Sequence, residues 1–340
     1  MQDIRMPKHS STNTMADERK IVLVTGCSYG LGCYIAKTFA ADEGQRFKVW
    51  ATVRSLAEKT RMEEMAGSLL NKAIYILELD LSKQDSVDAA VDHILSQDDH
   101  VDILVNNAAI TLIGPLECLD FNRGRQVFEV NFFGHIRLIQ LLIPRMKERR
   151  WGRILNISSL ASVVSKESKE LCICMIFSHQ FLDDCLTDLS VQGSPFLDFY
   201  VGSKHALEGF SESIASALRP FNVWVSVIQL AGVSTEHPTN VLVHGQTEGI
   251  VFSDGVDEAT GDMLKVWQGH LKEGMTGVQV QAPEEVAKIV LSVVDTERPQ
   301  FRFQSSQGGN FIASTRYSDP SGESAVSSAV DIITTHNLTK

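Results

Sequence analysis

The stretch that most narrows what this chain can become runs from Ile21 to Phe39. It holds the apolar run Ile-Val-Leu-Val, the turn Thr25-Gly26-Cys27-Ser28-Tyr29-Gly30-Leu31-Gly32, and then an apolar periodicity of helical type. A short uninterrupted apolar run predicts a strand covered on both faces. A strand that enters a glycine-rich turn and leaves as a helix is the arrangement that binds dinucleotides. Gly26, Gly30 and Gly32 allow a tight turn and a close backbone approach, and the first turn of the helix presents N–H groups to an anion such as a pyrophosphate. A glycine loop alone is a common accident; its place directly after the first strand gives it weight.

The same alternation repeats downstream. Phe47–Val53 predicts a strand followed by Arg54, Ile74–Leu79 a strand ending at Asp80, and Gln84–Leu95 a helix. Val101–Val105 predicts a strand ending in Asn106-Asn107-Ala108-Ala109. A long amphipathic helix is expected over Leu119–Arg149, a strand over Arg153–Ile157 ending at Ser158-Ser159, and a helix over 200–219. A strand at Val223–Leu230, a helix at Glu284–Val294 and a short strand at Phe301–Phe303 complete the pattern. Alternating strands and helices predict an α/β fold: a doubly wound, mostly parallel Rossmann-type sheet flanked by helices. With 340 residues, 44% of them apolar, one large domain over 20–305 fits better than two. Ligands of such sheets collect outside the carboxyl ends of the strands, where Gly26, Arg54, Asp80 and Asn107 all fall. A free ribose 2′-hydroxyl usually meets an acidic residue at the end of the second strand, whereas a 2′-phosphate is matched by a guanidinium. Arg54 there favours NADP(H) over NAD(H), against the plainer account of an ordinary exposed arginine.

Further on, Tyr200-Val201-Gly202-Ser203-Lys204 sets a phenol and an ammonium one helical turn apart on one face. A nearby positive charge favours phenolate and brings the phenol towards neutral pH, where it exchanges a proton efficiently with an alcohol or a carbonyl. Taken alone, such a pair is more often a solvated helix face than a site. Asn131, between Val130 and Phe132, must find partners, and the simplest account is a buried amide satisfying a backbone kink. His135, His205 and His237 are scattered singly and read as locally bonded side chains.

A net charge of −11 argues against nucleic acid or an anionic membrane as the main partner. Six cysteines, with no secretory segment before them, fit a reducing, cytoplasmic setting, and Cys172-Ile173-Cys174 lacks a second pair at zinc spacing, so no metal is expected. No apolar run is long enough to span a membrane, which leaves a soluble or membrane-peripheral protein. Residues 1–19 read as a disordered arm, with Met15 an alternative start, and 306–340 as a tail.

In order along the chain, TGCSYGLG, NNAA, VNFFG, NISS and YVGSK resemble the short-chain dehydrogenase/reductase family over residues 20 to 304. KVWATVRS, IGPLE, KHALEGFSES, APEEVAKIVL and the tail DPSG are similar to the branch that holds estradiol 17-beta-dehydrogenases and retinol dehydrogenases. The resemblance implies NADP(H)-dependent interconversion of a carbonyl and an alcohol on a small apolar molecule, a steroid or a retinoid, by a homodimer. It implies a tetrad of Asn131, Ser159, Tyr200 and Lys204. Tyr200 would exchange the proton, Ser159 hold the substrate oxygen, Lys204 lower the tyrosine pKa and contact ribose, and Asn131 order a relay water. Thr25, Gly26, Ser28, Tyr29, Gly30, Leu31 and Gly32 would line the cofactor. Asp80 would meet the adenine, Asn107 the adenine ribose region, and Thr235 the carboxamide end.

The chain departs from the family pattern at Tyr29, where this branch commonly has serine, at Ala109, and at Ala231-Gly232. The larger departure is the gap of 41 positions between Ser159 and Tyr200. The family resemblance implies about thirteen, so roughly 28 residues, near 165–192, are extra where connections are ordinarily short. They include the apolar run Leu171–Phe177, and then Leu182, Cys185, Leu186 and Leu189 at helical spacing. Two accounts compete. The insert is a lid over an apolar substrate mouth, alongside a substrate-covering loop at 233–280. Alternatively it is translated intronic sequence, favoured because Gly193-Ser194-Pro195-Phe196 resumes the family text. An insert that displaced Ser159 from Tyr200 would leave a nucleotide-binding but catalytically impaired protein.

Overall fold

The computed structural model describes residues 19–159, 195–230, 233–234, 256–277 and 281–306. Residues 1–18 of the expected arm, the 165–192 insert, most of the 233–255 segment, Thr235, His237, Cys172, Cys174 and the tail from 307 lie outside the described residues.

Seven strands form one parallel sheet: β1 (Lys20–Val24), β2 (Phe47–Val53), β3 (Ile74–Glu78), β4 (Ile103–Asn106), β5 (Gly152–Ser159), β6 (Val223–Leu230) and β7 (Arg302–Gln304), in the order β3-β2-β1-β4-β5-β6-β7. The chain winds outward from β1 through β2 to β3, then returns to β4 on the other side of β1. The order therefore reverses between β1 and β4, and a crevice opens beyond their carboxyl ends. Val24 pairs with Val105 across that boundary.

The described helices are α1 (Leu31–Ala40), α2 (Thr60–Ala66), α3 (Gln84–Asp98), α4 (Phe121–Phe128), α5 (His135–Arg149), α6 (Asp198–Leu218), α7 (Glu258–Gly277) and α8 (Pro283–Asp295). Strand residues alternate between two cores. Val22, Val24, Val49 and Ala51 pack with Phe39 and Val290 of α1 and α8; Ile21, Leu23 and Leu104 pack with Ile94, Leu138 and Leu142 of α3 and α5. That double covering is why these strands are apolar at successive positions, each fully buried Leu or Ile contributing about 1.5–3 kcal/mol.

The observed boundaries differ from the expected ones where local hydrogen bonding intervenes. The helix expected from Leu119 begins at Phe121, because Asp120 Oδ1 caps it by accepting from the Asn122 N–H at 2.8 Å. It is also not uniform: a π-helical turn, Glu129–Gly134, joins α4 to α5 and contains Asn131. Gly134 lies so close to Leu81 that a Cβ there would sit 2.6 Å from the Leu81 carbonyl oxygen. β5 runs past Ile157, because Ser158 and Ser159 stay paired with Gln229 and Leu230 of β6. Residues 56–69 also form short helical turns that the periodicity did not signal. Within the 233–280 segment the described part is α7, whose Trp267 is buried edge-on against Phe196 at 5.7 Å.

Candidate active site

A cleft of about 960 Å³ lies at the carboxyl ends of the strands. Its floor is the glycine turn after β1. Gly26 has φ +74°, and a Cβ on it would meet Ala108 Cα at 2.7 Å; a Cβ on Gly32 would meet the Gly26 carbonyl oxygen at 2.2 Å. Only glycine fits either place. Gly30, with φ 65°, leads into α1 without a side-chain cap, and no acidic residue occupies the first turn of that helix. The arrangement suits an anion, and so fits the pyrophosphate of a dinucleotide. Thr25 Oγ1 accepts from the N–H groups of Asn107 and Ala108, at 2.9 and 3.0 Å, joining the end of β1 to that of β4. Asn107 Nδ2 donates to the carbonyls of Thr25 and Gly26 at 2.9 and 3.2 Å. Asn107 lines the cleft, but its amide is committed to holding the turn.

The far end of the cleft carries Tyr29, Arg54 and Asp80. Arg54 is largely exposed (68%) and ion-paired with Glu58, four residues on, which lines the same wall. Asp80 accepts from Ser82 Oγ at 2.6 Å and pairs with Lys83 at 2.9 Å. Burial pushes its carboxyl up, but the bonds from Ser82 and Lys83 outweigh it and hold the group below the usual carboxylate range. Lys83 adds a second cation at this end that the motifs did not signal.

At the near end stand Ser159, Tyr200 and Lys204, contributed by the end of β5 and the first turns of α6. Across the 41 positions between them, the Tyr200 phenol and Ser159 are hydrogen-bonded. The displacement that would separate these hydroxyls is not found. Lys204 is buried, its Nζ donating to the Ile157 carbonyl at 2.8 Å and lying 5.6 Å from the Tyr200 ring centroid.

The electrostatics correct one expectation. The Tyr200 phenol is not brought towards neutral pH: burial raises it above its ordinary value, opposed by the bond to Ser159. Burial also lowers Lys204 itself, to about 8, against the pull of Glu208. Tyr200 is thus a protonated donor at neutral pH.

Asn131 is fully buried and does not line the cleft. Its Oδ1 accepts from the Ile110 N–H at 2.8 Å, and its Nδ2 donates to the Ile110 carbonyl at 2.9 Å and to Ser203 Oγ at 3.0 Å. The amide therefore ties the π turn to the loop after β4 and to α6, as the kink account expects. His135 Nδ1 and His205 Nδ1 lie 3.1 and 3.0 Å from the carbonyls of Asn131 and Val201, one turn back. Burial and the Lys204 charge press His135 down to about 3, so it stays neutral. Of the remaining expected residues, Ser28 and Leu31 line the cleft, whereas Gly30 precedes α1 and Gly32 lies in its first turn, packed on the Gly26 carbonyl. Sequence reasoning missed Ser158 and Glu208. The one available signal was the spacing of Glu208, a turn beyond Lys204. No helix among the described residues is long and apolar enough to cross a membrane, and none of their His, Cys, Asp and Glu side chains group as a metal site.

Known proteins share this arrangement. Residues 20–170 match the family model for short chain dehydrogenase, a match that ends within the expected insert. The chain is 32% identical over 308 residues to retinol dehydrogenase 8 of Bos taurus, covering 91% of this chain and 88% of that one. To 17-beta-hydroxysteroid dehydrogenase type 1 of Homo sapiens it is 33% identical over 310 residues, covering 91% and 84%. In fold it is similar to a short-chain dehydrogenase from Streptomyces avermitilis, with a TM-score of 0.68, 23% identity and coverage of 89% and 94%. A metagenomic short-chain oxidoreductase in complex with NADP gives a TM-score of 0.56 at 20% identity, covering 84% and 96%.

Proposed function

The chain belongs to the short-chain dehydrogenase family, an NAD(P)-dependent dehydrogenase acting on CH–OH donors, and on that premise we propose that it is an NADPH-dependent reductase and dehydrogenase of retinoid or 17-ketosteroid substrates. The bond between Ser159 and Tyr200 at the cleft wall carries the proposal, because it sets two hydroxyls to converge on one substrate oxygen. When bound, the nicotinamide supplies or receives the hydride. In the reductive direction Tyr200, protonated at neutral pH, donates its proton to the carbonyl oxygen, and Ser159 fixes that oxygen by a second hydrogen bond. Lys204 stabilises the phenolate left behind and hydrogen-bonds ribose. Asn131 acts through position, holding the loop after β4 against α6.

Arg54 supports the preference for a 2′-phosphate, with Lys83 a second cation on the same wall. The similarity to retinol and 17-beta-hydroxysteroid dehydrogenases supports an apolar alcohol or carbonyl as substrate, and a homodimer and a cytoplasmic or membrane-peripheral setting are proposed with it. The test is a turnover screen with NADPH against retinals and 17-ketosteroids. Tyr200→Phe is expected to lose about 10²–10⁴-fold in kcat while still quenching NADPH fluorescence. Retained turnover in that variant overturns the assignment.

A further inference from the structure

Behind the cleft wall lies a buried polar cluster that the proposed reaction does not use. Glu208 follows Lys204 by one turn of α6, and the two residues are only 7% and 2% exposed. The Glu208 carboxylate accepts from Ser158 Oγ at 2.6 Å and from Gln229 Nε2 at 3.0 and 3.1 Å. Its Oε2 lies 3.8 Å from Arg302 Nε, and Arg302 is also held by Glu212 at 2.6 Å. Gln229 in turn accepts from Gln304 Nε2 at 2.7 Å, so the cluster spans β5, α6, β6 and β7.

Two of these contacts meet on adjacent residues of one strand. Lys204 Nζ donates to the carbonyl of Ile157, and Ser158, the next residue, donates to Glu208. Ser159, the partner of Tyr200, follows immediately. The ammonium and the carboxylate thus bracket the strand end that presents Ser159.

We propose that Glu208 is a positioning residue of this site, whose carboxylate, one turn from Lys204 and bonded to Ser158, sets an opposing charge behind the ammonium and fixes the end of β5 that carries Ser159. This rests on the reading of Ser159, Tyr200 and Lys204 given above. Among the described residues, the groups facing Lys204 are Tyr200 and Glu208 on its own helix, the Ile157 carbonyl on β5, and His135 on α5. His135 is neutral, and Tyr200 is a neutral phenol at pH 7. Glu208 therefore supplies the negative charge that opposes the cost of burying Lys204. Arg302 and Glu212 set how much of that charge Lys204 feels.

The experiment follows the 13Cε resonance of Lys204 against pH in the folded free protein, assigned by its absence in Lys204→Arg. In the wild type the midpoint is expected at about 8; in Glu208→Gln it is expected to fall by about one unit, a tenfold loss of proton affinity. Arg302→Met, which removes the cation facing Glu208, is expected to move the midpoint the other way, and it serves if Glu208→Gln does not fold. Midpoints unmoved in the folded variants overturn the proposal. Where turnover is found, the alkaline limb of kcat/KM moves with the resonance. A uniform rate loss with that limb in place marks a merely structural role and also overturns the proposal. Because the titration needs no substrate, absence of turnover with every retinal and ketosteroid refutes the activity while leaving Glu208 separately testable.

Discussion

At each end of the cleft a cation that lines it is followed four residues later by a glutamate, and the two settings differ. Arg54 and Glu58 touch in water at the far end, with the guanidinium largely exposed. Lys204 lines the near end and Glu208 lies behind it, both buried. An exposed pair gains little Coulomb energy, loses side-chain entropy and is screened by salt, so it is worth about 0–1 kcal/mol. It can also be opened at little cost, which a site for a 2′-phosphate requires. The buried pair cannot exchange with water. There burial presses Lys204 down and the Glu208 charge opposes it, so the surroundings rather than water set the state of the ammonium one turn beyond Tyr200.

The strongest way to break the contrast is to remove each cation. Lys204→Met is expected to lower kcat/KM with NADPH about 100-fold or more at pH 7, read by steady-state kinetics. In the wild type, the activity that depends on Lys204 should persist below pH 8 and be lost as pH rises through it, because the ammonium is the form in use. A second test uses His135, the other buried titratable group near Lys204. Its folded pKa of about 3 lies below the unfolded value, so the unfolded state binds the extra proton and stability is lost as pH falls from about 6.5 towards 3. The loss should reach about 2 kcal/mol by pH 5, and His135→Gln should flatten that slope in urea melts whatever its absolute stability.

At the exposed end the effects should be smaller. Arg54→Asp is expected to weaken NADPH binding about tenfold or more while sparing NADH, measured by fluorescence titration; an unchanged NADPH dissociation constant removes Arg54 from the site. Glu58→Gln should change stability by no more than about 0.5 kcal/mol in thermal melts, and less still at high salt. A fall in kcat/KM in Glu58→Gln as large as that in Lys204→Met would erase the distinction between the two ends.

Much of this was legible because it is local. The glycine turn follows its strand within a few residues, so Gly26 and Gly32 were readable as positions where a side chain would collide, and Thr25, Arg54 and Asp80 as residues at strand ends. The Tyr200–Lys204 spacing was readable for the same reason. What failed was whatever depends on partners distant in sequence. Asn107 lines the cleft as expected, yet its amide is committed to the carbonyls of Thr25 and Gly26, some 80 positions earlier. Asn131 sits in a π turn and staples Ile110 to Ser203. Helical periodicity shows neither, because a π turn shifts register without changing composition.

The sequence by itself determined the order of strands and helices, the parallel sheet and the residues at its carboxyl edge, since these follow from periodicity and from glycine's backbone freedom. It also placed a tyrosine and a lysine one turn apart. Only the tertiary structure decided that Ser159 reaches Tyr200 across 41 positions, that Lys204 is buried enough to titrate near 8, and that Glu208 stands behind it. Spacing along a chain fixes which groups can face one another; the water left around them sets their charge, and burial is a property of the packed whole.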